Sequence, residues 1–567
     1  MKGLCIAAML AALVITGCGD SEPDTSRGRD SATAISQGAV NKFLGGIDAG
    51  TAYVYANLQR MPEPVVDKVW AMNDASAESN EAIFEALAED EEISEEVRAL
   101  LEEVKTLSTR DGWEAAGLHS NPFYALYGVD LFPFAQLELS DGAAFTELLG
   151  RIEANLQEPL ERREIEGLEV LWFDLVGGFG IALRHDQDSL TAAVIPDDPA
   201  MLVRVAGQFE PADAMTSTTL DSFNRESGLS AFGSGFIDWQ RLVNTALTDE
   251  SQIGRLLRED ASAADVVENP ACVAEYQAVT QALPRLLFGY TRLTEKHADF
   301  LIRQETSTKL GQGLAPVAQA PVTVDRKLSG LFNFGLAFDL VAGREFARSL
   351  VDGWVANPPQ CPSFASIADQ APRLQESLNR PIPPVITNLQ GLYLEANDLS
   401  LAENGMPTGG GTLSLFMRNP QLLVGMAQMF SPAVAEIDLQ PGGEPQPVPE
   451  GAIPQLEQAS LKAWLAMSEN AIGIAIGEDN IDALTTAIGE TDTDDLLLAG
   501  RLDFRVLSEL IDMAETALGD IEEEGAALGL EAQRRQYEAF AEIYDQASVK
   551  LRLGEKGIDL VGETTLK

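Results

Sequence analysis

At 567 residues and 45% hydrophobic content, the chain has enough apolar side chains to build packed cores, which excludes general disorder. Asp and Glu number 88 against 39 Lys and Arg, a formal charge of −49. That balance excludes sequence-independent binding to DNA or RNA, because phosphate contacts need a basic surface.

Lys2 supplies a positive start, Leu4 to Ile15 is apolar, and the small residues Thr16 and Gly17 precede Cys18. This order is that of an exported precursor, and the run is shorter than the roughly 18–20 residues a spanning helix needs. Ile15-Thr16-Gly17-Cys18 resembles a bacterial lipobox. The resemblance, to envelope lipoproteins of Gram-negative bacteria, implies removal of a signal peptide at residues 1–17, acylation of Cys18 and membrane attachment through the N-terminal lipid. In many such proteins an Asp directly after the cysteine favours the inner membrane. Gly19 stands there instead, so the resemblance implies the outer membrane. Residues 18–38 are polar, lack the side chains that offset the entropy of ordering, and are expected to form a flexible tether.

Beyond the tether one phrase recurs: an alternating apolar strand, an Asp or Asn, then a segment of helical period. Thr51 to Ala56 leads to Asn57, Phe134 to Ser140 leads to Asp141, and Phe332 to Phe338 leads to Asp339. Other copies run into Asp238, Asn419 and Asp503. Each of these six residues is expected to cap a helix, its side-chain oxygen accepting an N–H of the first turn. Pro420 after Asn419 fits the first helical position. Ala88 to Thr106 reads as an acidic helix with Val97, Leu100, Leu101 and Val104 on its apolar side. Antiparallel pairs recur as well, as at 179–184 with 189–195 and at 549–553 with 557–561. Thr408-Gly409-Gly410-Gly411-Thr412 is expected to close a hairpin turn, and the Pro-rich stretch 442–449 cannot continue a central strand.

The expected fold class is α+β. Duplicated β-α-β-β modules form one or two long curved antiparallel sheets with helices packed on one face, since the strands alternate between a dry and a wet side. Unequal cap separations suit a module with variable insertions and suggest units at 39–225, 226–400 and 401–567.

With Cys5 in the segment to be removed and Cys18 assigned to lipid, Cys272 and Cys361 remain, an even pair in a chain bound for an oxidising compartment. A disulfide between them is expected, worth about 4–5 kcal/mol in the chain-entropy view. No catalytic constellation appears. His119, His185 and His297 are far apart and lack metal-ligand spacing, and His185 is expected to form an exposed pair with Asp186. Gly177 to Gly180 lacks the third glycine and the helix of a dinucleotide loop. Asp492, Asp494 and Asp495 lack the glycine and terminal Glu of a calcium loop. The expectation is therefore a protein without catalytic residues, metal or cofactor. Resemblance to lipid-anchored envelope proteins implies a binding protein that carries or chaperones a lipid, a lipoprotein or an outer-membrane protein. A structural or adhesive scaffold is the alternative, and a carboxylate-dependent hydrolase a distant third.

Overall fold

The computed structural model describes residues 38, 40–74, 95–156, 159–175, 177–401, 407–430, 437–449, 452–453, 456, 461–490, 493, 495–518, 534–535 and 537–567. Cys18 and the tether lie outside them, as do Asp492 and Asp494. The fold is α+β, built on one open, curved antiparallel sheet of 19 strands.

The first ten strands are β1 (Tyr53–Ala56), β2 (Tyr124–Val129), β3 (Phe132–Glu138), β4 (Glu161–Ile165), β5 (Leu168–Asp174), β6 (Phe179–His185), β7 (Ser189–Pro196), β8 (Ser234–Asp238), β9 (Arg285–Thr294) and β10 (His297–Glu305). They are followed by β11 (Phe332–Ala337), β12 (Leu389–Leu401), β13 (Pro407–Met417), β14 (Gln446–Pro447), β15 (Ala463–Met467), β16 (Ala471–Ile476), β17 (Leu496–Asp503), β18 (Tyr544–Gly554) and β19 (Gly557–Leu566). Hydrogen bonding orders them β4-β5-β6-β7-β3-β2-β1-β8-β9-β10-β19-β18-β17-β11-β12-β13-β16-β15-β14.

Read outward from the β10–β19 pair, both halves visit their strands in the same chain order, with β4 an extra edge strand in the first. Registers agree closely, a bulge at Asp299 and Phe300 in the β9–β10 pair being absent from the equivalent place in β18–β19. Leu301 pairs with Val561 at the centre of β10–β19, His297 with Thr565 and Glu305 with Gly557 at its two ends, so a local twofold axis passes through the Leu301–Val561 pair. The chain is thus a tandem duplication in which each repeat supplies its last strand to join the other. The division at 39–225, 226–400 and 401–567 is corrected accordingly. Caps alone cannot reveal this unit, because each repeat contains several capped helices at non-equivalent places.

The equivalent caps show it. Asp141 accepts the Ala143 and Ala144 N–H groups at 2.8 and 3.3 Å, and its counterpart Asn419 accepts that of Leu422 at 3.3 Å. Asp238 and Asp503 also correspond. They accept the N–H groups of Arg241 and Arg505, each at 2.9 Å, while their own N–H groups bond Ala52 and Leu331 at 2.7 and 2.8 Å. Asp339 caps Leu340–Ala356 through Val341 and Ala342.

Asn57 is not a cap, which overturns the expectation. It is buried, accepts the Tyr124 N–H at 2.9 Å and donates to the Gln59 and Pro122 carbonyls. The next helix, 63–74, starts several residues later, so the amide satisfies a buried loop instead. The glycines at 409–411 are likewise strand, not turn. They pair with Ala396 to Leu399, where a Cβ on Gly409 or Gly411 would approach the Asp398 or Glu395 carbonyl to 2.3 or 2.1 Å.

Cross-strand partners share a face of the sheet. Val54, Tyr127, Phe134, Trp172, Ala182 and Leu287 lie on what we call the near face, covered in the first repeat by residues 40–44 and the helices Pro199–Val205 and Ser217–Ser227. The far face of that repeat, with Leu137, Leu190, Tyr290 and Leu293, is covered by 63–74, Arg110–Ala115 and Gly142–Ala154. Helices therefore occupy both faces here, where a one-sided cover was expected.

Where the repeats meet, the near face carries ion pairs. Arg303 binds Asp559 at 2.6 Å, and Asp325 binds Arg501 at 2.7 Å and Lys550 at 2.9 Å. Burial pushes the Asp325 carboxyl up, but hydrogen bonds from Lys550 and Arg501 together outweigh it and hold it below the ordinary value. A depressed carboxyl stabilises above its unfolded pKa and loses that contribution as pH falls through the folded one. Asp325→Asn is expected to cost about 2 kcal/mol at neutral pH and to flatten the acid limb of stability, measured by urea unfolding across pH.

Candidate functional site

In the second repeat the sheet reverses the usual arrangement of its alternating residues. Asn333, Gly335, Ala337, Ser414, Ala471 and Ala475 point to the near face and are buried. That face takes small side chains because the segment around Val322 and Val324 and the helix Ile481–Gly489, through Leu484, Ala487 and Ile488, pack tightly on it. Gly335 shows the constraint: a Cβ there would meet the Val324 backbone at 2.7 Å.

Tyr393 and Phe416 are the bulky residues buried on that near face, and other large apolar residues of these strands point the other way. On the far face Phe332, Phe334 and Leu336 are half-buried, and Leu394, Leu413, Val549 and Leu560 keep 37, 38, 41 and 38% of their surface exposed. Leu394 and Leu413 are direct cross-strand partners. Leaving such side chains in water forgoes about 25 cal/mol per Å² of apolar burial, so a sheet face of this kind is a surface in want of an apolar partner.

The apolar face continues into the first repeat beneath its helices. At the junction a cavity of about 340 Å³ is lined by Val69, Tyr290, Phe300, Tyr544 and Leu566. Gly562 is on this wall, and a Cβ there would meet nothing within 4 Å. Tyr544 stacks between Phe504 and Phe540, with ring centroids at 5.1 and 5.7 Å. Val69 also lines a second, smaller cavity of about 100 Å³ under the 63–74 helix, with Trp70, Trp113, Leu126 and Leu137.

Its polar end is closed by bonded groups. The Asn121 side chain accepts the Met61 N–H at 3.0 Å and donates to the Met61 carbonyl at 2.6 Å. Arg60 binds Glu138 at 2.6 Å and lies 3.0 Å from His119 Nε2, and the Asn121 N–H lies 3.0 Å from His119 Nδ1, so a neutral ring accepts from one of these two donors. Burial and the Arg60 charge push the His119 pKa down, so its imidazole is neutral and acts as a bonded wall.

The disulfide is present. Cys272 in the helix Pro270–Ala282 of the first repeat bonds Cys361, just ahead of the second-repeat helix Ala365–Asn379. Tyr276 and Phe364 pack beside it at 5.1 Å, and Glu275 accepts the Cys361 N–H at 3.1 Å. The capping residues sit at separate helix heads along the sheet and do not converge. His185 does not pair with Asp186: its ring meets Phe145 edge-on at 5.3 Å, and Asp186 instead accepts from Ser189. Among the described residues no group of three or more His, Cys, Asp or Glu side chains could hold a metal ion, and no helix is long and apolar enough to cross a membrane.

The sequence expectation assigned no residue of the far face to a site. Its signal was there in Phe332, Phe334 and Leu336, which alternate with smaller residues, but alternation does not say which set is covered. Comparison with protein-family models, with characterised proteins and with solved structures finds no match for this chain.

Proposed function

We propose that the protein is a noncatalytic, lipid-anchored binding protein of the cell envelope that carries apolar chains, those of a lipid or of a lipoprotein client, on the far face of its sheet. The observation that supports this reading is the far face of the second repeat, where Leu394, Leu413, Val549 and Leu560 each keep more than a third of their surface exposed. The two cavities extend the same apolar surface toward the first repeat. Acylation at Cys18 would hold the cradle at the outer membrane, where such chains are supplied.

The test is purification of the protein from its native envelope followed by mass spectrometry of what accompanies it. Recovery of a defined acyl-chain lipid or lipoprotein in near-stoichiometric amount is the expected result. A preparation free of both speaks for the scaffold reading, which draws its support from apolar side chains exposed on helices, Met429 at 75% above all.

A further inference from the structure

On the near face of the first repeat, opposite the apolar cradle, lies a cavity of about 460 Å³. Its apolar wall is Phe43, Tyr127 and Phe134, and its polar wall includes Gln136, Thr191, Arg184 and Arg204. Arg204 is half-buried with its guanidinium carbon 3.6 Å from the centroid of Phe209. No carboxylate among the described residues stands at salt-bridge distance from it, and Asp130 and Asp48 attract it only from farther away. Arg184 has one loose partner, Asp186 Oδ2 at 3.7 Å; Asp186 also lines the cavity, its Oδ1 accepting three hydrogen bonds from Asp188 and Ser189. Glu210 also lines the cavity, and Lys42 at its edge is paired with Asp188.

The second repeat shows what the fold itself requires at this place. The β6–β7 hairpin ends in the pairs Arg184–Thr191 and His185–Leu190, and β15–β16 ends in Ala466–Gly473 and Met467–Ile472. Both are closed by the same turn bond, Asp186 N–H to Ser189 and Ser468 N–H to Ala471, each at 2.8 Å. Arg184 and Thr191 therefore correspond to Ala466 and Gly473, and Gln136, the partner of Thr191, to Ser414. The buried trio Leu202, Val205 and Ala206 matches Leu484, Ala487 and Ile488, which sets Thr486 at the place of Arg204. A Cβ on Gly473 would stand 2.4 Å from Leu484 Cδ1, so that corner is filled. One copy of the fold closes the corner with small and apolar residues; the other opens it and installs two arginines.

We infer that this cavity is a binding site for a small organic anion, its carboxylate or phosphate held between Arg184 and Arg204 and its compact apolar body against Phe43, Tyr127 and Phe134. Half-burial removes water that would otherwise screen the guanidinium groups, and the stacked Phe209 holds Arg204 in place without neutralising it. The site lies on the opposite face from Leu394 and Leu413 and shares only Gln136 with the lining of the far-face cavities, so it stands whether or not that reading does.

Calorimetric titration of the purified full chain with benzoate and with phenyl phosphate, and with benzyl alcohol as the uncharged control, tests the site. At least one anion is expected to bind saturably while benzyl alcohol does not. Arg204→Gln and Arg184→Gln should each weaken binding by about tenfold or more, and Thr486→Ala in the other repeat should leave it unchanged. Thermal melts identify any variant that fails to fold, and Arg184, on a different element, provides the second variant if Arg204→Gln does. Absence of binding by both anions, equal binding of benzyl alcohol, or undiminished binding in a folded arginine variant overturns the inference.

Discussion

Replacing Cys272 and Cys361 together by serine is expected to lower stability by about 4–5 kcal/mol, because the bond spans a sequence separation of 89 whose closure in the unfolded chain removes that much entropy. Urea unfolding of the variant beside the parent, and of the parent under reductant, measures it. The two midpoints should fall together. A loss below about 1 kcal/mol would mean that the unfolded chain already holds these segments close. The consequence extends beyond stability, since the bond ties a helix of the first repeat to one of the second. Without it the two remain connected across this boundary mainly through contacts such as Tyr276 with Phe364 and Glu275 with the Gln360 and Cys361 N–H groups. Loosened packing there should appear as faster amide exchange in Pro270–Ala282 and Ala365–Asn379.

Leu394→Asp with Leu413→Asp is expected to weaken binding of a fluorescent fatty acid by about a hundredfold while leaving the melting temperature nearly unchanged. Each leucine contributes about 1.5 kcal/mol or more when a ligand covers it, and the two are adjacent on the open face. More than a third of each is already exposed in the folded chain, so substitution costs little of the core. Native mass spectrometry of the variant should show the co-purified lipid lost. Retention of full lipid occupancy in a folded double variant would remove the far face from the proposal.

Several elements were legible from local chemistry alone. Asp141, Asp238, Asp339, Asn419 and Asp503 stand where strand pattern gives way to helix pattern, and an acceptor is needed there whatever lies elsewhere in the chain. Asn57 shows the limit of that logic. The same residue type after a similar strand answers a buried N–H of Tyr124, a partner that only tertiary packing brings within reach. The glycine run at 409–411 misleads for a related reason. Glycine marks a turn or a close approach of backbones, and here β12 approaches β13.

The sequence by itself determined that the chain is α+β, that its strands pair antiparallel, that five acidic or amide residues start helices and that two cysteines were left to bond, because each follows from neighbours along the chain and from composition. Tertiary structure alone decided that the repeats number two and share one sheet, since strand order depends on long-range hydrogen bonds. It also decided which side of the alternating strands stays open. Alternation separates Phe332, Phe334 and Leu336 from Asn333, Gly335 and Ala337, but which set is covered depends on where Leu484 and Val324 come to rest. They rest on the small residues, and on the other side Leu394 and Leu413 keep more than a third of their surface exposed.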